Sequence, residues 1–116
     1  MPFYRWADMK RRNLVKTTDS EGSLILGVLT TVTRQVQPPD KETRPHKHGC
    51  EQMIQILEGK AWFRVGDEEK FVRAGEVIHI PMDTLHEQRN VGEKTLVYLS
   101  FKNRSEDWPP PDAISS

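Results

Sequence analysis

The chain has 116 residues, 35% hydrophobic and 29% charged, which suits a single globular domain with one modest core. Lys plus Arg and Asp plus Glu each number 17, so the formal net charge is zero; this excludes a strongly basic nucleic-acid binder and a polybasic membrane adsorber. No apolar run approaches the ~18 residues of a membrane span, and one cysteine, Cys50, excludes an internal disulfide framework and a four-cysteine zinc site. From the N-terminus, MPFYRWADMKRR puts charges where a signal peptide has its apolar stretch, which predicts a cytoplasmic protein. Residues 4–12 read either as a short helix or as an irregular lead-in. Residues 23–37 (SLILGVLTTVTRQVQ) form a β run that stops at Pro38-Pro39. Residues 52–58 (QMIQILE) alternate and stop at Gly59, and residues 60–65 (KAWFRV) stop at the hairpin signal Gly66-Asp67, with Asp67, Glu68 and Glu69 as a solvated tip. Phe71–Arg73 is short and meets Gly75, residues 76–80 (EVIHI) end at Pro81, and residues 95–101 (TLVYLSF) are the last clear strand. In the tail, residues 105–116, three consecutive prolines preclude helix and central strand. Trp108 pins this tail either to the domain or to a neighbouring subunit, and the remainder is expected to be loose. With no amphipathic helix of useful length, the rhythm predicts an all-β sandwich, jelly roll or closed barrel spanning residues 1–116 as one domain.

Three of the four histidines stand where a metal could use them. His46 and His48 lie two apart, and on an extended strand residues i and i+2 share a face. Gln52 opens the next strand, and His86 follows the turn Pro81-Met82-Asp83-Thr84-Leu85. Imidazole is the commonest transition-metal ligand, so a cluster of this kind suits a divalent Fe, Mn, Co, Ni, Cu or Zn ion.

On these residues the sequence resembles the cupin superfamily. The first cupin motif, G-x5-H-x-H-x3,4-E-x6-G, reads DKETRPHKHGCEQMIQILEG from Asp40 to Gly59. The second, G-x5-P-x-G-x2-H-x3-N, reads GEVIHIPMDTLHEQRN from Gly75 to Asn90, and residues 60–74 between them are a minimal intermotif segment. Residues 40–90 carry the match. Asp40 and Asp83 replace motif glycines, which Asp tolerates because it visits left-handed backbone more readily than most residues. Gln52 holds the place of the acidic ligand, with Glu51 beside it. Counting back from Gly59 selects Gln52, and alternation places it on one face with Ile54 and Ile56.

The resemblance implies a single cupin barrel, an antiparallel jelly roll or double-stranded β-helix, with a divalent transition metal held by His46, His48, Gln52 and His86. It also implies a homodimer and a small-molecule substrate or ligand; the balanced charge and the lack of a long apolar run argue against a nucleic-acid or membrane partner. Small cupins with three His and one Gln are similar to pectin-degradation-type proteins acting on unsaturated uronates and to manganese-dependent hydroxynitrile lyases. The expected chemistry is therefore of lyase or isomerase type. An iron-dependent dioxygenase and a non-catalytic ligand-binding or sensing module are the alternatives. His79 is a candidate pocket acid or base, and Arg44 a candidate for a substrate carboxylate. Cys50 reads as a passive buried thiol, and Asn90 as a residue that holds a turn or strand end.

Overall fold

The computed structural model describes residues 2–111. It contains nine strands: β1 (Glu21–Leu26), β2 (Thr30–Gln37), β3 (Glu42–His46), β4 (Gln52–Glu58), β5 (Lys60–Val65), β6 (Glu68–Arg73), β7 (Val77–Ile80), β8 (His86–Asn90) and β9 (Leu96–Asn103). The described part is all-β apart from a 3-10 turn at Trp6–Asp8 and the last described residue, Pro111. Two antiparallel sheets, ordered β1-β2-β9-β4-β7 and β3-β8-β5-β6, face each other as a jelly roll. The fold class is the expected one.

Three segments differ from the sequence reading. The run at residues 23–37 is not one strand; it folds back at Gly27, whose N–H donates to Thr30 O at 2.8 Å. Fifteen extended residues would reach about 50 Å at ~3.3 Å each, beyond the longest dimension of the molecule, 37 Å. The tip, Val28 and Leu29, is exposed and carries no turn residue besides the glycine, which is why it reads as strand. Second, β6 begins at Glu68, so Glu68 and Glu69 sit in the strand opposite Val65 and Arg64. Third, β3 stops at His46, so His48 is in the following loop and not on a shared strand.

The two aspartates in glycine positions behave as their chemistry allows: Asp40 has φ 62° and Asp83 φ 56°, both left-handed. Gly59 could not be replaced in the same way, because at φ 96° an added Cβ would lie 3.1 Å from Leu96 Cα.

The barrel interior changes character along its strands. Ile54 and Ile56 of β4, Ala61 and Phe63 of β5, and Leu96 and Tyr98 of β9 form an apolar core. Farther along the same inward rows come Gln52 on β4, then Ser100 and Lys102 on β9, all buried. Thr33, Gln35, Thr43 and Gln88 continue this polar lining. A second small apolar cluster, Leu14, Cys50 and Trp108, closes that end.

Trp108 settles the question of the tail. It is 4% exposed and its Nε1–H donates to Thr31 Oγ1 at 2.8 Å, so the tail is pinned to its own barrel. The expectation that the rest is loose concerns residues 112–116, which lie outside the described part. Asn90 is structural as expected: its Nδ2 donates to Gln37 O (2.9 Å) and Lys94 O (3.0 Å), and its Oδ1 accepts from Gly92 N–H (2.9 Å).

Candidate metal centre

His46 ends β3 and is the register partner of His86, which begins β8. His48 reaches in from the loop, and the three rings stand with centroids 4.3, 4.9 and 5.5 Å apart. One ring nitrogen of each lies within 4.8 Å of those of the other two.

The outward nitrogens fix the protonation pattern. His46 Nδ1 is 2.7 Å from Arg44 O, His48 Nδ1 is 3.0 Å from Cys50 O, and His86 Nδ1 is 2.9 Å from Thr84 O. A carbonyl oxygen only accepts, so each Nδ1 carries the hydrogen and donates it. In the neutral rings each Nε2 therefore offers a lone pair, an arrangement that backbone carbonyls commonly impose on metal-ligating histidines. Burial keeps the rings neutral. His86 is pushed down to about 4, and His46 and His48 are lowered too, in each case first by desolvation.

A pH dependence follows for the metal-free protein. Between about pH 6.5 and 4 the unfolded chain binds protons that folded His86 does not, so stability falls as pH drops through that window. A shift from 6.5 to about 4 corresponds to roughly 3 kcal/mol for His86. Urea unfolding of chelator-treated protein at pH 7 and pH 4 should show this loss, and His86→Ala should reduce it. The same loss in both proteins would refute the assignment.

Gln52 and not Glu51 faces inward. Gln52 is 7% exposed; its Nε2 donates to Ser100 Oγ at 2.7 Å, which leaves Oε1 at 3.1 Å from His48 Nε2. Two lone pairs thus face each other across a gap that a cation would fill. Three imidazole nitrogens and one amide oxygen, all neutral, fit a divalent transition metal such as Mn, Fe, Ni, Zn, Co or Cu.

Glu51 points outward and accepts from His79 Nε2–H at 2.7 Å. His79 is the register partner of Met53 on the outer face of the sheet, so the expectation that it acts inside the pocket is corrected: strand parity sends it to the opposite side. Arg44 is corrected as well. It is exposed, its Nη1 lies 3.3 Å from both Asp19 carboxylate oxygens, and its Nη2 donates to Lys16 O at 2.7 Å. Pro45 and the irregular pairing between Thr43 and His46 break the alternation that would have turned Arg44 inward. Cys50 is fully buried with Sγ 3.2 Å from His48 Nδ1, and burial pushes its thiol up, as a passive cysteine requires.

The sequence reading missed Lys102. It is 6% exposed, lines both the narrow inner recess beside His46, Gln52 and His86 and the mouth of about 220 Å³, and desolvation lowers it to about 8. A lysine near a strand end ordinarily reads as solvated; the available signal was its parity with Leu96, Tyr98 and Ser100. Asp107, also at the mouth, accepts from Ser105 Oγ (2.6 Å) and Gly49 N–H (3.2 Å), which hold its carboxyl below the usual range.

Fold and donor set together define a β-barrel with a candidate metal site, and comparison with known proteins places it: the family described as Cupin domain matches residues 33–102, and the chain belongs to that family. An uncharacterized protein of Methanocaldococcus jannaschii is 32% identical over 63% of this chain and 59% of its own length. Auxin-binding protein 1 of Arabidopsis thaliana is 27% identical over 78% of this chain and 54% of its own. The chain thus spans somewhat over half the length of these curated relatives. Among solved structures, a predicted oxalate decarboxylase from Thermotoga maritima superposes with TM-score 0.77 at 20% identity, covering 89% of this chain and 99% of that one. The polyketide cyclase RemF from Streptomyces resistomycificus gives 0.76 at 22%, covering 99% and 97%. At these identities the superpositions show the fold. Among the described residues no helix is long and apolar enough to cross a membrane.

Proposed function

We propose that the chain is a cytoplasmic, divalent-metal-dependent enzyme of lyase or isomerase type that acts on a small polar, carboxylated or sugar-derived metabolite, with His46, His48, Gln52 and His86 as the metal ligands. The observation that carries this reading is the convergence of three imidazole lone pairs and an amide oxygen with no carboxylate among them. A metal bound there supplies Lewis acidity undiminished by an anionic ligand, and so favours substrates with negative or polarisable oxygens. The protein's own contribution is orientation. The carbonyls of residues 44, 50 and 84 lock the rings, Ser100 locks the amide, and Leu14, Val15 and Trp108 keep the mouth apolar. Lys102 supplies charge beside the ligands without being one of them.

Elemental analysis of protein purified without chelator tests the reading and directs the assay. Mn, Ni or Zn calls for lyase and isomerase panels on hydroxy acids and uronates; Fe with substrate-dependent oxygen uptake would favour the dioxygenase alternative. Stoichiometric metal without turnover of any substrate would favour a non-catalytic binder, a second reading supported by the apolar mouth and by a relative named for binding auxin. Absence of metal after reconstitution would overturn the proposal. If Gln52 is a ligand, Gln52→Glu should tighten metal binding by about tenfold or more, because a carboxylate is a stronger donor. Unchanged affinity in a competition titration would remove Gln52 from the ligand set.

We also propose a homodimer. The outer face of the five-stranded sheet carries a cross-strand row, Ile25–Val32–Phe101–Met53, with Met53 and Phe101 exposed. A second copy covering that row would remove apolar surface from water. Analytical ultracentrifugation should find two chains, and Phe101→Glu should give monomers; a monomeric wild type would refute the assignment.

A further inference from the structure

Lys102 has no carboxylate and no hydrogen-bond acceptor in contact with its ammonium among the described residues. No hydrogen bond or ion pair among the described residues ends on its Nζ; the contact the structure gives it is the face of Trp108, 4.0 Å from Nζ to the ring centroid. The acidic residue at the mouth, Asp107, acts on the ammonium through its charge only, its carboxyl being oriented by Ser105 and Gly49. The other polar groups lining the recess with it are neutral imidazoles, amides and hydroxyls, none of them hydrogen-bonded to its Nζ. An ammonium taken from water without an acceptor is costly, and a methionine or leucine would fill the same space at the end of β9 without that cost. A side chain kept there as lysine has three hydrogens to donate into the cavity it lines.

We infer that Lys102 is an anion-recognition residue, which holds the carboxylate of a short-chain acid whose other oxygen-bearing group faces the histidine cluster. The cavity supports both parts of this description. Its mouth, about 220 Å³, lies below the ~300–1,000 Å³ of drug-sized sites and so selects a small ligand. Leu14, Val15 and Pro110 provide wall for a short hydrocarbon middle, with Lys16 as a second cation at the rim. Trp108 fixes the ammonium from one side and leaves the opposite side to the ligand. The acid end rests on Lys102 alone; the placement of the other end rests on the metal-site reading.

The test measures malonate and its diamide, malonamide, which has no carboxylate, by calorimetry in low-chloride buffer. Each is titrated into protein reconstituted with Mn(II) and into chelator-stripped protein, with metal content determined for every sample. Wild type should bind malonate at least tenfold more tightly than malonamide. Lys102→Met should cut that preference at least fivefold with metal content unchanged, and Lys102→Arg should retain most of it. Methionine fills the same space over Trp108, so Lys102→Met should fold, which a thermal melt checks. In stripped protein malonate should bind more weakly, still with at least a fivefold loss on Lys102→Met. This arm separates the two ideas: if no metal loads, the metal reading fails, and the stripped samples alone decide the role of Lys102. Equal malonate affinity in wild type and Lys102→Met, or no malonate binding to wild type in either state, would overturn the assignment.

Discussion

Replacing His48 and His86 together with alanine should reduce bound metal to background while the chain remains folded. The two residues approach from different elements, a loop and the first position of β8, so the double change leaves at most His46 and Gln52 facing one another. Changes to groups that merely orient a ligand typically cost 10–100-fold in metal affinity; losing two ligands should cost more than about 1,000-fold. The fold should survive because the rings are not part of the apolar core around Ile54, Phe63 and Leu96. Moreover, deleting His86 removes a group whose neutral state the protein enforces by burial. Calorimetry and elemental analysis measure the loss. Thermal melts supply an independent readout: metal at 100 times its Kd should stabilise wild type by about 2.7 kcal/mol and leave the double variant unmoved. Full retention of metal by a folded double variant would end the case for this site.

Trp108→Ala should be the most destabilising single change outside the main core. The indole fills the cluster with Leu14 and Cys50, its Nε1–H donates to Thr31 Oγ1, and its face lies under the Lys102 ammonium. Truncation of a buried aromatic costs about 3–5 kcal/mol, and at ~4–8 °C per kcal/mol the Tm should fall by at least about 12 °C. Trp108→Phe keeps most of the ring and loses the hydrogen bond, for a cost nearer about 1–2 kcal/mol. A Tm within 3 °C of wild type for the alanine variant, on the order of half a kcal/mol, would mean that the tail is not an integral wall of the barrel.

The barrel and the centre of its site were readable because turn chemistry and strand alternation are local. Glycine, proline and aspartate at fixed offsets mark the corners, and parity along β4 alone turns Gln52 inward and Glu51 outward. What was illegible depended on partners distant in sequence. His79 obeys alternation, but only the antiparallel register with Met53 shows that its side faces solvent. Arg44 was lost to an irregular pairing after Pro45. The hairpin at Gly27 was hidden by Val28 and Leu29, whose composition says strand while the dimensions of the barrel say corner. Lys102 was overlooked because a charged residue near a strand end is normally solvated, and only the returning tail, carrying Trp108, covers it.

The change from aliphatic to polar lining along β4 and β9 has a consequence for how the protein could acquire new specificities. Its folding free energy is concentrated in one half of the interior, and the groups a guest would touch are in the other, on the same strands but a few residues further along. Threonines 33 and 43 and glutamines 35 and 88 can thus be varied as a combinatorial library that leaves the aliphatic side chains in place, with substitutions that keep a partner for Ser20, Thr18, Gln37 and Tyr98 being the tolerated ones. A scaffold partitioned in this way suits laboratory evolution toward unrelated small molecules, with the melting temperature serving as a control that should barely change as selectivity does.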